Sequence, residues 1–72
     1  MLKLSQLNSG QVFKLVEVPS GLKAELIRLG LCVGDQLQCI SKIPFGAVVI
    51  QKDLVEIAVG FNYAREILVD VN

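Results

Sequence analysis

Histidine and tryptophan are absent from the 72-residue sequence, and neither sign of charge predominates. Without histidine, the chain lacks the side chain that most often acts as a general base or a metal ligand at neutral pH. Seven basic residues balance seven acidic residues, so no long-range electric field attracts nucleic acid or an anionic membrane. The composition therefore disfavours histidine-dependent catalysis and predicts no binding to nucleic acid.

Recognised catalytic motifs are missing too. No serine or cysteine has an evident base beside it, and the six glycines do not form the phosphate-binding pattern G-x-x-x-x-G-K-[ST]. Asp53 and Glu56 are the nearest candidates for paired carboxylates, but both flank a predicted hairpin and are expected to be solvated. We therefore predict that the protein is not an enzyme.

Long apolar runs and cysteines are few. Unbroken apolar stretches such as residues 47–50 are far shorter than the ~20 residues of a membrane-spanning helix, and the N-terminus lacks a signal-peptide pattern. We therefore predict a cytoplasmic protein that does not insert into a membrane. Cys32 and Cys39 lack the C-x-x-C spacing of zinc or redox sites, so we expect reduced thiols packed as small apolar groups.

Apolar residues make up 53% of the chain, which is more than a small core readily hides. A domain of this length buries only about 60% of the surface that its unfolded chain exposes. Some apolar side chains should therefore remain exposed, and a cluster of them would mark a contact site. The alternative is the scattered apolar surface that any small domain shows.

Turn residues, mainly glycine and proline, divide residues 1–72 into the short segments of a single domain. Residues 4–8 are predicted to form a helical turn or tight loop, and residues 61–65 a short helical turn. Apolar and alternating segments predict five strands: residues 11–18, 36–43, 47–52, 54–59 and 66–71. Because a closed sheet hides its edges, we predict a mainly β, SH3-like barrel of antiparallel strands with one inserted helix.

The inserted helix is predicted over residues 21–29, or 21–30 with the glycine that ends it, and Ser20 is its expected N-cap. Leucines at i, i+4 and i+7 form one stripe that is expected to face the core: Leu22, Leu26 and Leu29. Ile27 then lies near the surface unless a second element covers it.

Periodicity along the other segments assigns side chains to shared faces, through helical spacing in residues 4–8 and through alternation in the strands. The residues that share a face within their own segments are Leu4 with Leu7, Leu37 with Cys39, and Ile67 with Val69 and Val71. The first pair is expected to cap the core at one end. Lys52 and Asp53 are the predicted tight connection between two strands.

The segment from Gly21 to Asp35 resembles the helix and following turn of the FeoA family, small cytoplasmic proteins of bacterial ferrous iron uptake. That family commonly shows Leu-x-x-Leu-Gly-Leu-x-Pro-Gly there, and five residues match: Leu26, Leu29, Gly30, Leu31 and Gly34. Further matches follow in the family's order along nearly the whole chain: Leu4, Leu7, Gly10, Pro44, Gly46, Ile57, Ala58, Ala64, Ile67, Leu68 and Val69. The joint order of these motifs carries the resemblance.

Several positions depart from the family pattern. Val33 replaces the proline before the turn glycine, Val59 replaces a leucine, and Gly60 replaces a basic residue. Glu25 and Arg28 reverse the usual order of a basic and then an acidic residue on the helix. These changes concern the recognition of a partner more than the fold.

The resemblance implies an accessory role without a cofactor. The implied partner is a FeoB-like membrane iron permease with a GTPase domain, for which this chain would be an adaptor or regulator. The predicted contact surface combines the helix, the loop after it and the facing turn: Lys23, Ile27, Arg28, Leu31 and Phe45. A homo-oligomer is compatible with this role.

A second hypothesis is a transition-metal-binding sensor, because related domains end the DtxR-type metal-dependent repressors. Its candidate ligands for Fe²⁺ or Zn²⁺ are Cys32, Cys39 and Asp35, and a dimer could complete a site that one chain cannot. A third hypothesis, a small-barrel nucleic-acid binder, is disfavoured by the zero net charge.

Overall fold

Six β-strands, two α-helices and one 3₁₀ turn make up residues 1–71, which are the residues that the computed structural model describes. The strands are β1 (Leu2–Lys3), β2 (Val12–Glu17), β3 (Gln36–Lys42), β4 (Val48–Lys52), β5 (Val55–Val59) and β6 (Leu68–Val71). The helices are α1 (Ser20–Arg28) and α2 (Phe61–Ala64), and the 3₁₀ turn spans Leu4–Gln6. All five predicted strands are present, and β1 is an additional short one.

The six strands form one antiparallel sheet in the order β1-β6-β2-β3-β4-β5. Phe13 of β2 lies opposite Leu37 of β3 on one side and Val71 of β6 on the other. The register shifts once between β2 and β6 and once between β3 and β4, and such bulges bend a sheet. The predicted mainly β architecture with one inserted helix is confirmed, although β1 and β5 do not pair within residues 1–71, so the barrel stays open there.

The core consists of 14 buried apolar side chains, and no polar side chain of residues 1–71 is buried. Its members are Leu4, Leu7, Phe13, Leu15, Leu26, Leu31, Leu37, Cys39, Val48, Ile50, Val59, Ala64, Ile67 and Val69. Two predicted pairs, Leu4 with Leu7 and Leu37 with Cys39, are therefore both in the core. Ile67 and Val69 are buried as well, whereas Val71, which was predicted to share their face, is 36% exposed.

Helix α1 contacts the core through fewer residues than its leucine stripe predicts. Leu26 is buried and Leu22 half-buried, but Leu29 is 45% exposed, so its predicted place in the core is wrong. The helix ends at Arg28, and Gly30 follows in a left-handed conformation with φ +85°. Gly30 N–H donates to Ile27 O at 2.9 Å, and Leu31 N–H donates to Leu26 O at 2.8 Å.

These two hydrogen bonds form a Schellman motif, in which glycine reverses the chain after a helix. The motif brings the residue after the glycine back onto the last turn of the helix. If that residue is apolar, its side chain packs against the helical residue whose carbonyl accepts its N–H. Leu31 therefore takes the core position that the helical spacing assigned to Leu29, and it is only 1% exposed.

Three further local predictions are corrected. Ser20 is the first helical residue and not the N-cap, because Pro19 already has the extended N-cap conformation, with ψ 141°. The β4–β5 hairpin loop is Asp53-Leu54, one residue later than predicted, because Lys52 pairs with Val55 and Asp53 takes φ +53°. Cys32 is exposed and not packed, since it lies in the loop beyond the Schellman turn.

Candidate partner-binding surface

A shallow apolar depression lies beside helix α1, between the helix and the loop that follows it. The residues that line it are Leu15, Val18, Lys23, Leu26, Ile27, Leu31, Cys32 and Val33. Ile27 and Val33 form an exposed rim, being 53% and 51% accessible to solvent. The volume of about 50 Å³ admits one small apolar group, whereas sites for cofactors or drug-sized ligands occupy roughly 300–1,000 Å³. We call this feature the α1 pocket.

The structure brings together some of the predicted contact residues. Lys23 and Ile27 line the α1 pocket, and Arg28 is exposed on the same helix. Leu31 forms the floor of the pocket but is buried, so its predicted exposure to a partner is wrong. Val33 was not among the predicted contact residues. The feature that could have identified it is an apolar side chain in a loop, next to the glycine of a turn.

Phe45 occupies a different part of the surface from the α1 pocket. Its side chain is 88% exposed, and its φ of +57° is rare for an aromatic residue. The ring packs against Phe61 with centroids 5.9 Å apart and planes inclined by 58°. These two rings line a separate, more polar depression with Lys42, Ser5 and Asn8. The predicted contact surface is therefore divided between two depressions.

A polar network holds the loop that forms one wall of the α1 pocket. Lys52 Nζ on β4 donates to the carbonyl oxygen of Gly30 at 3.1 Å and to Asp35 Oδ2 at 2.8 Å. The same carboxylate oxygen accepts the Cys32 backbone N–H at 2.8 Å. Lys52 thus connects the end of α1 to the start of β3 through charged groups that are only partly exposed, at 32% and 24%.

The network shifts the pKa values of both charged partners. The hydrogen bond from Lys52, with a second one from the Cys32 N–H, lowers the pKa of Asp35 below its ordinary 3.8. The same hydrogen bond, which Lys52 donates to Asp35, raises the pKa of Lys52 above its ordinary 10.5. Each partner therefore stabilises the charged form of the other.

Acid should remove the contribution of Asp35 to folding stability. Because its pKa is lowered in the folded state, the contribution is complete above pH 3.8 and is lost as the pH falls through the folded-state value. Urea midpoints of the wild type and Asp35→Asn, measured from neutral pH down to about pH 2, should converge at the acid end. Asp70→Asn, an exposed carboxylate with no ion pair within residues 1–71, is the control. A gap between wild type and Asp35→Asn that stays constant with pH would contradict the network.

The three candidate metal ligands do not converge. Within residues 1–71, no group of three or more His, Cys, Asp and Glu side chains is arranged to hold a metal ion. Asp35 Oδ2 is already engaged by Lys52 and by the Cys32 N–H. Burial raises the pKa of the Cys39 thiol and so disfavours the thiolate that would bind a metal. The donor set of one chain therefore does not fit a transition-metal site.

Of the helices within residues 1–71, none has the length and apolar character that crossing a membrane requires.

A second apolar groove lies on the other side of α1, between the helix and strand β5. Sequence reasoning missed it because Leu29, which lines it, was assigned to the core.

The open antiparallel sheet, the helix inserted after β2 and the apolar core define a small SH3-like β domain. A family model described as "FeoA domain" matches residues 2–71, and the chain therefore belongs to the FeoA family. This match confirms the resemblance that the leucine and glycine motifs carried.

Solved structures with the same fold fall into two groups. The first contains an iron uptake regulatory protein (FeoA), with 24% identity, 99% of this chain and 96% of that chain covered, and a TM-score of 0.85. It also contains a FeoA protein from Chlorobium tepidum, with 25% identity, coverages of 97% and 70%, and a TM-score of 0.84. No curated protein matches the sequence.

The second group contains a protein with bound Zn²⁺ and a manganese regulator. ScaR with bound Zn²⁺ shows 25% identity, coverages of 97% of this chain and 36% of that chain, and a TM-score of 0.82. The manganese regulator SloR is 24% identical with a TM-score of 0.83, and this chain covers 34% of it. The present chain thus corresponds to about a third of each of these two proteins.

Proposed function

We propose that this protein is a cytoplasmic accessory protein of bacterial ferrous iron uptake, which acts by binding a FeoB-like membrane permease with a GTPase domain. The observation that carries the proposal is the FeoA family match over residues 2–71. A protein of the same fold is described as an iron uptake regulatory protein. The role requires no catalysis by this chain, in keeping with the absence of histidine from its sequence.

The α1 pocket is the surface that we assign to this partner. Ile27 and Val33 present apolar surface, and Lys23 and Arg28 add positive charge beside it. Apolar centres with charged rims are typical of protein interfaces. Leu31 supports the surface from beneath, because its buried side chain forms the pocket floor. Phe45 provides a second exposed contact group on its separate depression.

A pull-down with the cytoplasmic region of the cognate FeoB-like permease tests the proposal. The double variant Ile27→Asp, Arg28→Glu should reduce retention by about tenfold or more, since it places an acidic group on the apolar surface and reverses the charge beside it. The matched control is Leu54→Asp, Arg65→Glu, which likewise replaces an exposed apolar residue with Asp and an exposed Arg with Glu, outside the α1 pocket. Equal retention of the Ile27 variant and wild type rules out this surface, and no retention of wild type rules out the partner.

A second candidate function, a transition-metal-binding sensor, is favoured by the shared fold with ScaR and SloR. Because the ligands of one chain do not converge, this function requires a site completed by a second copy. Anaerobic titration with Fe²⁺, followed by backbone amide shifts, separates the two functions. Saturable shifts around Cys32 with formation of a dimer support the sensor, and their absence leaves the adaptor as the function.

A further inference from the structure

Strand β5 is an open edge of the sheet. Within residues 1–71 it pairs only with β4, and no other backbone hydrogen bond reaches Val55–Val59. In an antiparallel pair, alternate residues direct both N–H and C=O away from the partner strand. β5 therefore presents unpaired backbone donors and acceptors on its outer side. It contains neither proline nor lysine, the residues that commonly protect such edges.

An apolar groove runs along this edge. Three consecutive residues of β5 line it, namely Ile57, Ala58 and Val59. Successive side chains of a strand point to opposite faces, so a groove that touches all three follows the backbone edge and not one face of the sheet. We call this feature the β5 groove.

The opposite wall of the β5 groove is one face of helix α1. Leu22, Leu26 and Leu29 line it at helical spacing, and Tyr63 closes one end. Leu29 and Tyr63 are 45% and 44% exposed, so part of this wall has no cover. The volume of about 410 Å³ is large enough for more than one side chain. A backbone edge facing an apolar helix is the arrangement that binds peptides by strand addition.

The charges around the groove indicate the occupant. Glu25 on α1 lines the groove, and Glu56 is the only charged residue of β5. Neither carboxylate forms an ion pair with another residue in the part of the chain described, residues 1–71. No lysine or arginine lines the groove. A bound strand with basic side chains would therefore meet carboxylates and no like charge in the lining of the groove.

A second copy of this chain fits the edge less well. If two β5 strands paired antiparallel about Ile57, Glu56 of one copy would lie diagonally beside Glu56 of the other. Diagonal neighbours in a sheet are about 7–8 Å apart, and like charges at this range repel. The Glu25 side chains would add further negative charge on the same groove.

We propose that β5 accepts an extended segment of a partner protein as an additional strand, with apolar side chains in the β5 groove and basic side chains beside Glu25 and Glu56. This site shares only Leu26 with the α1 pocket, and the proposal does not depend on the permease as a partner. Main-chain hydrogen bonds would supply affinity, and the groove would select apolar residues at alternate positions.

The probe is the capped peptide Val-Lys-Val-Lys-Val-Lys-Val, titrated to millimolar concentration against the whole protein and followed by backbone amide shifts. We expect saturable shifts in Val55–Val59 and in the groove face of α1, with slower amide exchange along β5. Two control peptides bear on the mechanism. Glutamate in place of lysine should abolish binding through repulsion, and N-methylation of alternate amides should abolish it through loss of strand hydrogen bonds.

Variants of the protein test the same contacts from the other side. Glu56→Lys should weaken peptide binding about two- to fivefold, the size of one exposed ion pair, whereas Glu17→Lys on β2 should leave it unchanged. Leu29→Lys should weaken it by about tenfold, because an apolar wall residue is lost and a like charge is added. Ile27→Lys, on the same helix but facing the α1 pocket, is its control.

Four results overturn the proposal. Three of them are the absence of saturable shifts in β5 at millimolar peptide, equal binding of the glutamate peptide, and shifts confined to the α1 pocket or to the Phe45–Phe61 depression. Shifts in β5 that depend on protein concentration without peptide would show a second copy as the occupant and would also overturn it. The permease pull-down is a separate measurement. A negative result in the pull-down therefore leaves the peptide titration interpretable, and a negative titration leaves the pull-down interpretable.

Discussion

Replacing Phe13 with alanine should lower the free energy of unfolding by about 3–5 kcal/mol, the largest loss expected from any single truncation in this domain. Phe13 is the largest of the fully buried side chains. It lies on β2, the strand between β3 and β6, opposite Leu37 and Val71. Truncation therefore leaves a cavity between three strands, which a short sheet closes poorly.

Urea unfolding followed by circular dichroism measures the effect of the Phe13 substitution. Natural domains are stable by only about 5–15 kcal/mol, so Phe13→Ala should be close to unfolding without denaturant. Phe13→Leu keeps more of the volume and should lose a smaller, measurable amount. Val12→Ala is the matched control, because Val12 is the neighbouring residue on the other face and is 38% exposed. A loss from Phe13→Ala no larger than that of the control would show that the β2 side chains have been assigned to the wrong faces.

Leu31→Ala should lower the free energy of unfolding by about 2–5 kcal/mol, although Leu31 lies in a loop. Its side chain is 1% exposed and packs in the core beneath the α1 pocket. Val33, two residues further along the same loop, is 51% exposed. Val33→Ala should change stability by no more than about 0.5 kcal/mol.

Comparison of the Leu31 and Val33 variants distinguishes a residue that supports the surface from a residue that contacts the partner. Retention by the permease region should fall with Val33→Ala in a protein of unchanged stability. Leu31→Ala should reduce retention only in proportion to unfolding, and a stable Leu31→Ala protein with lost retention would instead make Leu31 a contact residue. Urea midpoints of both variants therefore accompany the pull-down.

Much of the fold could be predicted because its signals are local. The alternation of Leu37 and Cys39 with polar neighbours identifies one face of β3 without knowledge of the other strands, and both residues are buried. Turn residues delimit the strands for the same reason. The hairpin loop was placed one residue early, because the pairing of Lys52 with Val55 depends on the neighbouring strand as well as on the turn.

Less of the candidate site could be predicted. Exposure of Ile27 follows from its angle on the helix, and the structure confirms it at 53%. Helical spacing assigned Leu29 to the core, and Leu31 in the following loop was predicted to contact the partner. The observed burial of the two residues is the reverse, because the periodicity ends where Gly30 reverses the chain. Gly30 was predicted to end the helix. The sequence therefore already contained the signal needed to assign Leu31 to the core.

The local sequence was sufficient for a β-rich chain with one helix, for its resemblance to the FeoA family and for half of its core, since side-chain periodicity and turn residues act over a few positions. The location of the two grooves beside α1 depended on contacts between distant segments. Lys52 reaches Gly30 and Asp35 across the fold, and the unpaired edge of β5 faces Leu29. Such contacts depend on the packing of whole strands and helices, and no local pattern specifies them.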